Sequence, residues 1–216
     1  MVLAFGLTAL PVSAQAFKFS EVEKNEKAER DATEAQRTAK LQAQLSTPCR
    51  DSLKNERIVI MVGIEKSGVM DARQAGYGPQ IQAISQRIKS IGLRVLTPEE
   101  VKRQIAQAEI DAFFKGNTDA ALSASKRMQA KYTLKGVVQT QTSVNPMIQV
   151  NQVSVNLIFQ LTGDNGRFSS DFSKSGMSAA GTDTNATALE LINRYTDEAV
   201  AQLYADYCQR AGIGRN

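Results

Sequence analysis

The sequence predicts an α/β fold in which a mixed sheet is covered by helices. A continuous apolar run from Ile58 to Val62 is typical of a strand that is buried on both faces. Apolar residues then recur at spacings of three and four from Ile81 to Ile91, which indicates an amphipathic helix. From Lys131 the apolar period changes to two, as in strands that are joined by hairpin turns. The resulting order, β-α-β-α-α-β-β-β-α behind a charged N-terminal helix, favours a mixed sheet.

The composition favours a single domain without catalytic machinery. The 216 residues, 42% of them hydrophobic, suffice for one domain and a short appendage. The formal charge of +4 is scattered along the chain, whereas a nucleic-acid binder concentrates its Lys and Arg in a stripe. The sequence contains no His, which is the commonest general base and metal ligand, and two Cys cannot form a four-cysteine zinc site. We therefore expect a protein that is not an enzyme and that uses no cofactor, metal or nucleic acid.

Residues 1–16 resemble a secretory signal peptide. The apolar run from Val2 to Leu10 is shorter than the ~20 residues that a bilayer-spanning helix requires. Small residues at Ala14 and Ala16 predict cleavage between Ala16 and Phe17. The residue directly after this cleavage point is not a Cys, so it cannot carry a lipid. Because no Lys or Arg precedes the run, either the natural start codon lies upstream of Met1 or the sequence is trimmed, and a buried N-terminal helix is the alternative. We expect a periplasmic mature chain without a transmembrane segment.

Residues 17–48 form a charged lead-in to the α/β domain, which we expect at residues 49–212. Residues 20–46 are rich in Glu, Lys and Ala and contain neither Gly nor Pro, which predicts a solvated helix with internal ion pairs. The apolar seam of this helix, mainly Ala28 to Ala39, is thin for a coiled coil. Two interpretations stay open: the helix docks on a partner or a neighbouring protomer, or it is a solvated extension.

Cys49 and Cys208 are the two cysteines of the chain, and export to an oxidising compartment predicts a disulfide between them. The bridge would close a long loop and stabilise the fold by about 5 kcal/mol at most on the chain-entropy model. Two unrelated buried thiols are the alternative, because the sequence does not give the separation of the two Cα atoms.

The next elements are delimited by glycine, proline and a capping sequence. Residues 65–78 contain three Gly and are predicted to form a loop, after which Pro79 begins a helix that ends at Gly92. A short strand from Leu93 to Leu96 would complete a right-handed crossover with a parallel strand pair. Thr97 and Glu100 then have the spacing of a capping box at a helix start. We expect this helix to end at residues 116–117 and a further helix to run from Thr118 or Asp119 through Met128.

The strands of the C-terminal half are predicted from alternating apolar residues. The first runs from Tyr132 to about Thr142, Asn145 and Pro146 make the turn, and a long return strand follows. Because the apolar residues of that return strand are even-numbered up to Val150 and odd-numbered from Val153, we predict a β-bulge near residues 151–152. A second turn at residues 163–166 leads to a third strand at residues 168–172, and a final helix spans about residues 185–207.

The polar end of the first hairpin is the predicted contact surface. Exposed strand edges that are rich in Gln and Asn pair with other chains by strand addition. The candidate interface residues are Gln141, Asn145, Pro146, Gln149 and Asn151.

No motif in the chain indicates catalysis. Lys66-Ser67 suggests a phosphate-binding loop, but Glu65 occupies the position before the lysine where that motif requires Gly. Gly76 to Pro79 is typical of a turn before a helix, and the sequence lacks the G-x-S-x-G elbow of a serine hydrolase. A carrier of a small ligand or a cell-wall glycan, with residues 63–78 folded over the sheet, is the alternative function.

Several short motifs, taken in order, resemble the CsgG-like superfamily of envelope accessory proteins. They are the strand over residues 57–62, the segment from Leu93 to Glu100, the sequence from Ala130 to Gly136, and the two strands that flank the turn at residues 163–166. The resemblance covers residues 57–207. This superfamily includes the curli secretion channel, the lipoprotein activators of penicillin-binding proteins and the middle domain of the flagellar H-ring protein T.

The resemblance implies a non-enzymatic scaffold: a ring subunit or an accessory factor of an outer-membrane-associated machine, either a flagellar motor or a secretion and assembly system. Its implied partners are envelope proteins or further copies of the same chain. The sequence departs from the family in three ways, because it lacks a lipidation site, its hairpin turns are too short for membrane hairpins, and it lacks the other domains of the H-ring protein.

Overall fold

The computed structural model describes residues 19–47, 49–66, 68–73, 78–117, 119, 123, 126–163 and 166–211. The predicted signal peptide and its cleavage point at Ala16 and Phe17 lie outside these residues. The helices are α1 (Phe19–Leu45), α2 (Arg50–Leu53), α3 (Pro79–Ser90), α4 (Pro98–Gln104), α5 (Gln107–Phe114) and α6 (Thr184–Arg210). The strands are β1 (Arg57–Lys66), β2 (Val69–Asp71), β3 (Arg94–Val95), β4 (Tyr132–Asn145), β5 (Val150–Gly163) and β6 (Phe168–Ala180).

The chain divides into two units between Ala39 and Lys40. The first unit contains the part of α1 before Lys40, which is charged and exposed, as its composition predicted. Ion pairs along the helix join Arg37 to Glu34 at 2.5 Å and Arg30 to Glu26 at 3.9 Å. Such exposed pairs each contribute only a few tenths of a kcal/mol, roughly 0.3–0.5, to helix stability.

The second unit contains the mixed sheet, whose strand order is β2-β1-β4-β5-β6 with β3 paired to β1. β1 runs parallel to β4 and to β3, whereas β4, β5 and β6 are antiparallel neighbours. The α/β fold with a mixed sheet is thus confirmed. Of the helix predicted from Thr118 or Asp119 through Met128, the residues described as helical are 119, 123, 126 and 127.

The loop predicted for residues 65–78 is wrong in its first part. β1 continues to Lys66, and the chain turns back at Gly68, which has a φ of +80°, into the short antiparallel strand β2. The apolar run could not reveal β2, because all three of its residues are exposed and it pairs only at the sheet margin. The β1–β2 hairpin therefore covers the edge of β1 at its last three residues, Ile64 to Lys66.

Two layers of helices bury the sheet unequally. One face of all four long strands packs against α3 and α6, and the predicted stripe of Ile81, Ile84, Ile88 and Ile91 is buried in that core. On the other face α4 and α5 bury the β1 side chains Val59 and Met61. This second face of β4, β5 and β6 carries mainly polar side chains together with two exposed apolar ones, and we call it the open face (Gln139, Gln141, Ser154, Asn156, Ile158, Ser173, Ser175 and Met177).

The start of α4 follows the predicted capping box. The hydroxyl of Thr97 accepts a hydrogen bond from the Glu100 N–H at 3.2 Å, and the Glu100 carboxylate accepts one from the Thr97 N–H at 2.7 Å. That backbone hydrogen bond, followed by the nearby Arg94 charge, lowers the pKa of Glu100. A lowered carboxyl pKa means that the cap stabilises the fold above the usual pKa of Glu and loses this contribution as pH falls through the folded-state value.

The β-bulge predicted near residues 151–152 is wrong. Pairing between β4 and β5 is continuous from Tyr132 opposite Gly163 to Asn145 opposite Val150, with no extra residue in either strand. Of the two even-numbered apolar residues, Ile148 lies in the turn, where Gln149 has a φ of +54°, and Val150 begins β5 on the side of the open face. A period-two pattern registers a turn residue and a bulged residue alike, so the pattern alone could not distinguish them.

The disulfide lies where the lead-in joins the core. Cys49, just before α2, and Cys208, near the end of α6, are bridged and buried, with their Cα atoms 5.6 Å apart, within the usual range for disulfides. The Tyr204 hydroxyl supports the same junction, because it accepts a hydrogen bond from the Cys49 N–H at 3.1 Å and donates one to the Thr47 carbonyl at 2.5 Å. The last helix is thus fixed to the segment that precedes the first strand.

We expect reduction of this disulfide to lower the free energy of unfolding by about 3–5 kcal/mol, because the bridge closes a loop of 159 residues. Urea unfolding with and without reductant measures the difference. The double variant Cys49→Ser/Cys208→Ser is the control, since its stability should not respond to reductant. Two free thiols in the intact mass of periplasmic material would contradict the prediction.

Gly176 is required by the packing of α6 on β6. A Cβ atom at this position would collide with the Tyr195 hydroxyl. We expect Gly176→Ala to lower the free energy of unfolding by about 1–3 kcal/mol through overpacking. Tyr195→Phe in the same chain should restore part of the loss, whereas Gly181→Ala, which meets nothing within 4 Å, should be nearly neutral. If both alanine variants lowered the urea midpoint equally, the contact between residue 176 and Tyr195 would not explain the loss of stability.

Candidate interaction surface

The hairpin of β4 and β5 is unusually poor in charged residues. Between Lys135 and Asp164 the sequence contains no Asp, Glu, Lys or Arg, although charged residues make up 22% of the chain. Its distal part, residues 141–149, is exposed at nearly every position. This distal part, which we call the hairpin tip, can therefore approach another protein without the cost of desolvating a charge.

The polar residues of the tip bond mainly to the tip itself. The Asn145 side-chain oxygen accepts hydrogen bonds from the Met147 and Ile148 N–H groups at 3.0 and 3.4 Å. Gln149 donates its backbone N–H to the Asn145 carbonyl and its side-chain amide to the Pro146 carbonyl, both at 2.9 Å. Three of the five predicted interface residues thus hold the turn in one conformation.

The other two predicted interface residues lie on the flanking strands. The Asn151 side chain donates to the Gly181 carbonyl at 3.1 Å and so ties β5 to the end of β6. Gln141 lies on the open face, and its carbonyl accepts a hydrogen bond from the Ser154 hydroxyl at 3.4 Å. That these residues contact a partner stays a prediction.

The exposed apolar residues of the tip were missed by the sequence analysis. Met147 is 90% exposed, Ile148 63% and Val144 54%, which is uncommon for three large apolar side chains so close together in the chain. The signal was present, because the even phase of Ile148 conflicted with the rest of β5. Such a conflict indicates either a bulge or an apolar side chain in the turn, and the structure places Ile148 in the turn.

A groove of about 740 Å³ lies on the open face beside the tip. A chain of hydrogen bonds crosses its floor: the Asn156 amide donates to the Gln139 side-chain oxygen at 2.6 Å, and the Gln139 amide donates to the Glu65 carboxylate at 2.7 Å. Met177, which is 60% exposed, lines the same groove from β6. The groove therefore offers amide and hydroxyl groups, one carboxylate and one apolar side chain.

β6 is the open edge of the sheet. It is 13 residues long and ends the strand order, whereas at the opposite edge β1 pairs with β3 and β2 near its two ends. A long edge strand presents unpaired N–H and C=O groups with which another strand can pair. Asp171 and Lys174 are its charged residues, and the second pairs with Glu198 of α6 at 3.1 Å. The half of β6 that lies beside the tip is uncharged.

Lys135 closes the open face where α5 begins to cover the sheet. Its ammonium donates to the Phe113 carbonyl at 3.3 Å and lies 4.8 and 5.5 Å from the ring centres of Phe113 and Phe114. Burial lowers the pKa of this lysine. The side chain joins the C-terminal end of α5 to β4, which accounts for it as a structural residue.

Within the described ranges, no three His, Cys, Asp or Glu side chains are grouped so that they could hold a metal ion. Among the helices of the described residues, none combines the length and apolarity needed to cross a bilayer.

Comparison with known proteins gives fold-level likenesses at low identity. No family model matches the chain, and no curated protein matches it significantly. Hypothetical protein CT253 from Chlamydia trachomatis is 12% identical, with 72% of this chain and 99% of that chain covered and a TM-score of 0.47. Lipoprotein GNA1162 from Neisseria meningitidis is 13% identical, with 67% and 97% covered and a TM-score of 0.42. PelC from Paraburkholderia phytofirmans, a dodecamer, is 16% identical, with 73% and 92% covered and a TM-score of 0.41.

All three TM-scores lie below 0.5, so these structures do not indicate a function for this chain. They do not specifically indicate a CsgG-like protein, and that resemblance stays a prediction from the sequence motifs.

Proposed function

We propose that this protein is a non-enzymatic periplasmic scaffold that assembles with other chains through the hairpin tip and the β6 edge. The observation that carries the proposal is the exposed apolar set Val144, Met147 and Ile148, held in a turn that its own hydrogen bonds fix. Covering apolar surface yields roughly 25 cal/mol per Å², and a turn that is already ordered loses little conformational entropy when a partner covers it.

The occupant that we propose for this surface is a second copy of the chain. Each copy offers an apolar projection at the tip and, separately, an open strand edge with an uncharged half. Contacts between two different surfaces of identical chains repeat from copy to copy, and they close into a ring when the rotation permits. A ring subunit or accessory factor of an outer-membrane-associated machine is consistent with this arrangement. The two machines that we consider, a flagellar motor and a secretion or assembly system, are suggested by the sequence resemblance alone.

We expect a photo-crosslinking residue at position 147 to give discrete adducts at multiples of the chain mass in intact cells. The same residue at Lys89, which is exposed on α3, is the matched control and should give none. Met147→Asp should shift the purified protein towards the monomer in sedimentation. Its free energy of unfolding should change by less than about 0.5 kcal/mol, because the side chain is 90% exposed.

Equal crosslinking from positions 147 and 89 would contradict the proposal, as would a monomer at every accessible concentration together with an absence of adducts. Adducts only with a different envelope protein would retain the interaction surface and replace the second copy as its occupant.

The groove on the open face favours a second candidate function, the binding of a small ligand or a cell-wall glycan. Its amide and hydroxyl groups suit the hydroxyls of an uncharged sugar, and its volume of about 740 Å³ is that of a ligand site. Thermal stabilisation by soluble cell-wall fragments that is lost in Gln139→Ala and retained in Met147→Asp would favour this function over assembly.

A further inference from the structure

A second pocket lies at the other end of the sheet from the hairpin tip. It has a volume of about 350 Å³ and is placed where β4 and β6 begin and α6 ends. Its lining is cationic and aromatic: Lys131, Tyr132, Arg167, Phe168, Tyr207, Arg210 and Ala211. Neither the scaffold function nor the glycan alternative uses this pocket.

The aromatic floor of the pocket is fixed by packing. The Tyr207 ring lies between those of Tyr132 and Phe168, with both pairs of ring centres 5.6 Å apart in edge-to-face geometry. Tyr132 and Phe168 are buried, and Tyr207 is half-buried. The floor is therefore a preformed apolar surface on which a flat or aliphatic group can lie without rearranging the core.

Three cations surround this floor, and two of them are partly neutralised. The Lys131 ammonium pairs with Glu56 at 2.9 Å. The Arg210 guanidinium lies 5.4 Å from the Phe168 ring centre and stands at the last turn of α6, where the helix carbonyls carry partial negative charge. Arg167 is exposed, and within the described residues it makes no ion pair. The lining residues that the structure describes thus include three cationic side chains and no carboxylate.

We propose that this pocket binds a phosphoryl group attached to a planar or aliphatic organic group. The guanidinium groups of Arg167 and Arg210 present planar forks of N–H donors that match phosphate oxygens, and Lys131 adds a third cation. The organic part lies against Tyr207 and Phe168. Two sources share this chemistry, the headgroup of an anionic phospholipid and a soluble phosphate ester.

Calorimetric titration of the full chain with phenyl phosphate tests the soluble source, and flotation with vesicles of phosphatidylglycerol against phosphatidylcholine tests the lipid source. We expect binding in at least one arm, weakened about tenfold or more in Arg167→Gln and further in Arg167→Gln/Arg210→Gln, because each substitution removes charge-assisted hydrogen bonds to the phosphoryl oxygens. The matched control is Lys102→Gln/Lys115→Gln, which removes the same two charges from exposed positions elsewhere.

Equal weakening by the control pair would show attraction by net charge alone and would overturn the proposal, as would an absence of binding in both arms. Arg167→Gln tests the pocket without risk to the fold, since Arg167 is an exposed turn residue. These outcomes are independent of the scaffold function, because Met147→Asp should bind the probes as the unmodified chain does.

Discussion

The parallel pairing of β1 with β4, from Ile58 opposite Tyr132 to Glu65 opposite Gln139, determines the rest of the architecture. It places the most apolar strand at the centre of the second unit, where α3 and α6 bury one face and α4 and α5 bury the other. Among the described residues, the second layer of helices packs on β1, so β4, β5 and β6 are buried on one face and largely open on the other. The groove, the hairpin tip and the open edge all follow from this asymmetry.

The two ends of the strands differ in chemistry as a result. At one end the hairpin continues past the helices without a charged residue and ends in an ordered turn with exposed apolar side chains. At the other end, β4 and β6 begin beside the end of α6, and cationic side chains surround a floor of aromatic rings. The buried disulfide fixes α6 to the segment before β1 close to this second end. The proposed protein contacts and the proposed binding of a phosphoryl group therefore lie at opposite ends of the sheet.

Sequence patterns within a few residues predicted most elements of the fold. The candidate site was predicted less completely, because it depends on contacts between residues far apart in the chain. The run from Ile58 to Val62 and the capping box at Thr97 encode their structures within a few residues, so the sequence predicted both. β2 is exposed and depends on pairing with β1, and no periodicity reveals a strand of that kind. The polar residues of the tip were predicted from composition, which does not show that Asn145 and Gln149 bond within the turn, and their contact with a partner stays a prediction. Neither the groove nor the cationic pocket follows from the sequence, since both require the register of strands far apart in the chain.

The proposed assembly requires that the β6 edge and the hairpin tip are covered in the native protein. Hydrogen–deuterium exchange of β6 and of residues 141–149 tests this directly, by comparing protein isolated from the envelope under mild conditions with the same chain diluted to a monomer. We expect slower exchange in these segments, and unchanged exchange in α3, for the material from the envelope. Identical exchange of β6 and the tip in the two samples would contradict it.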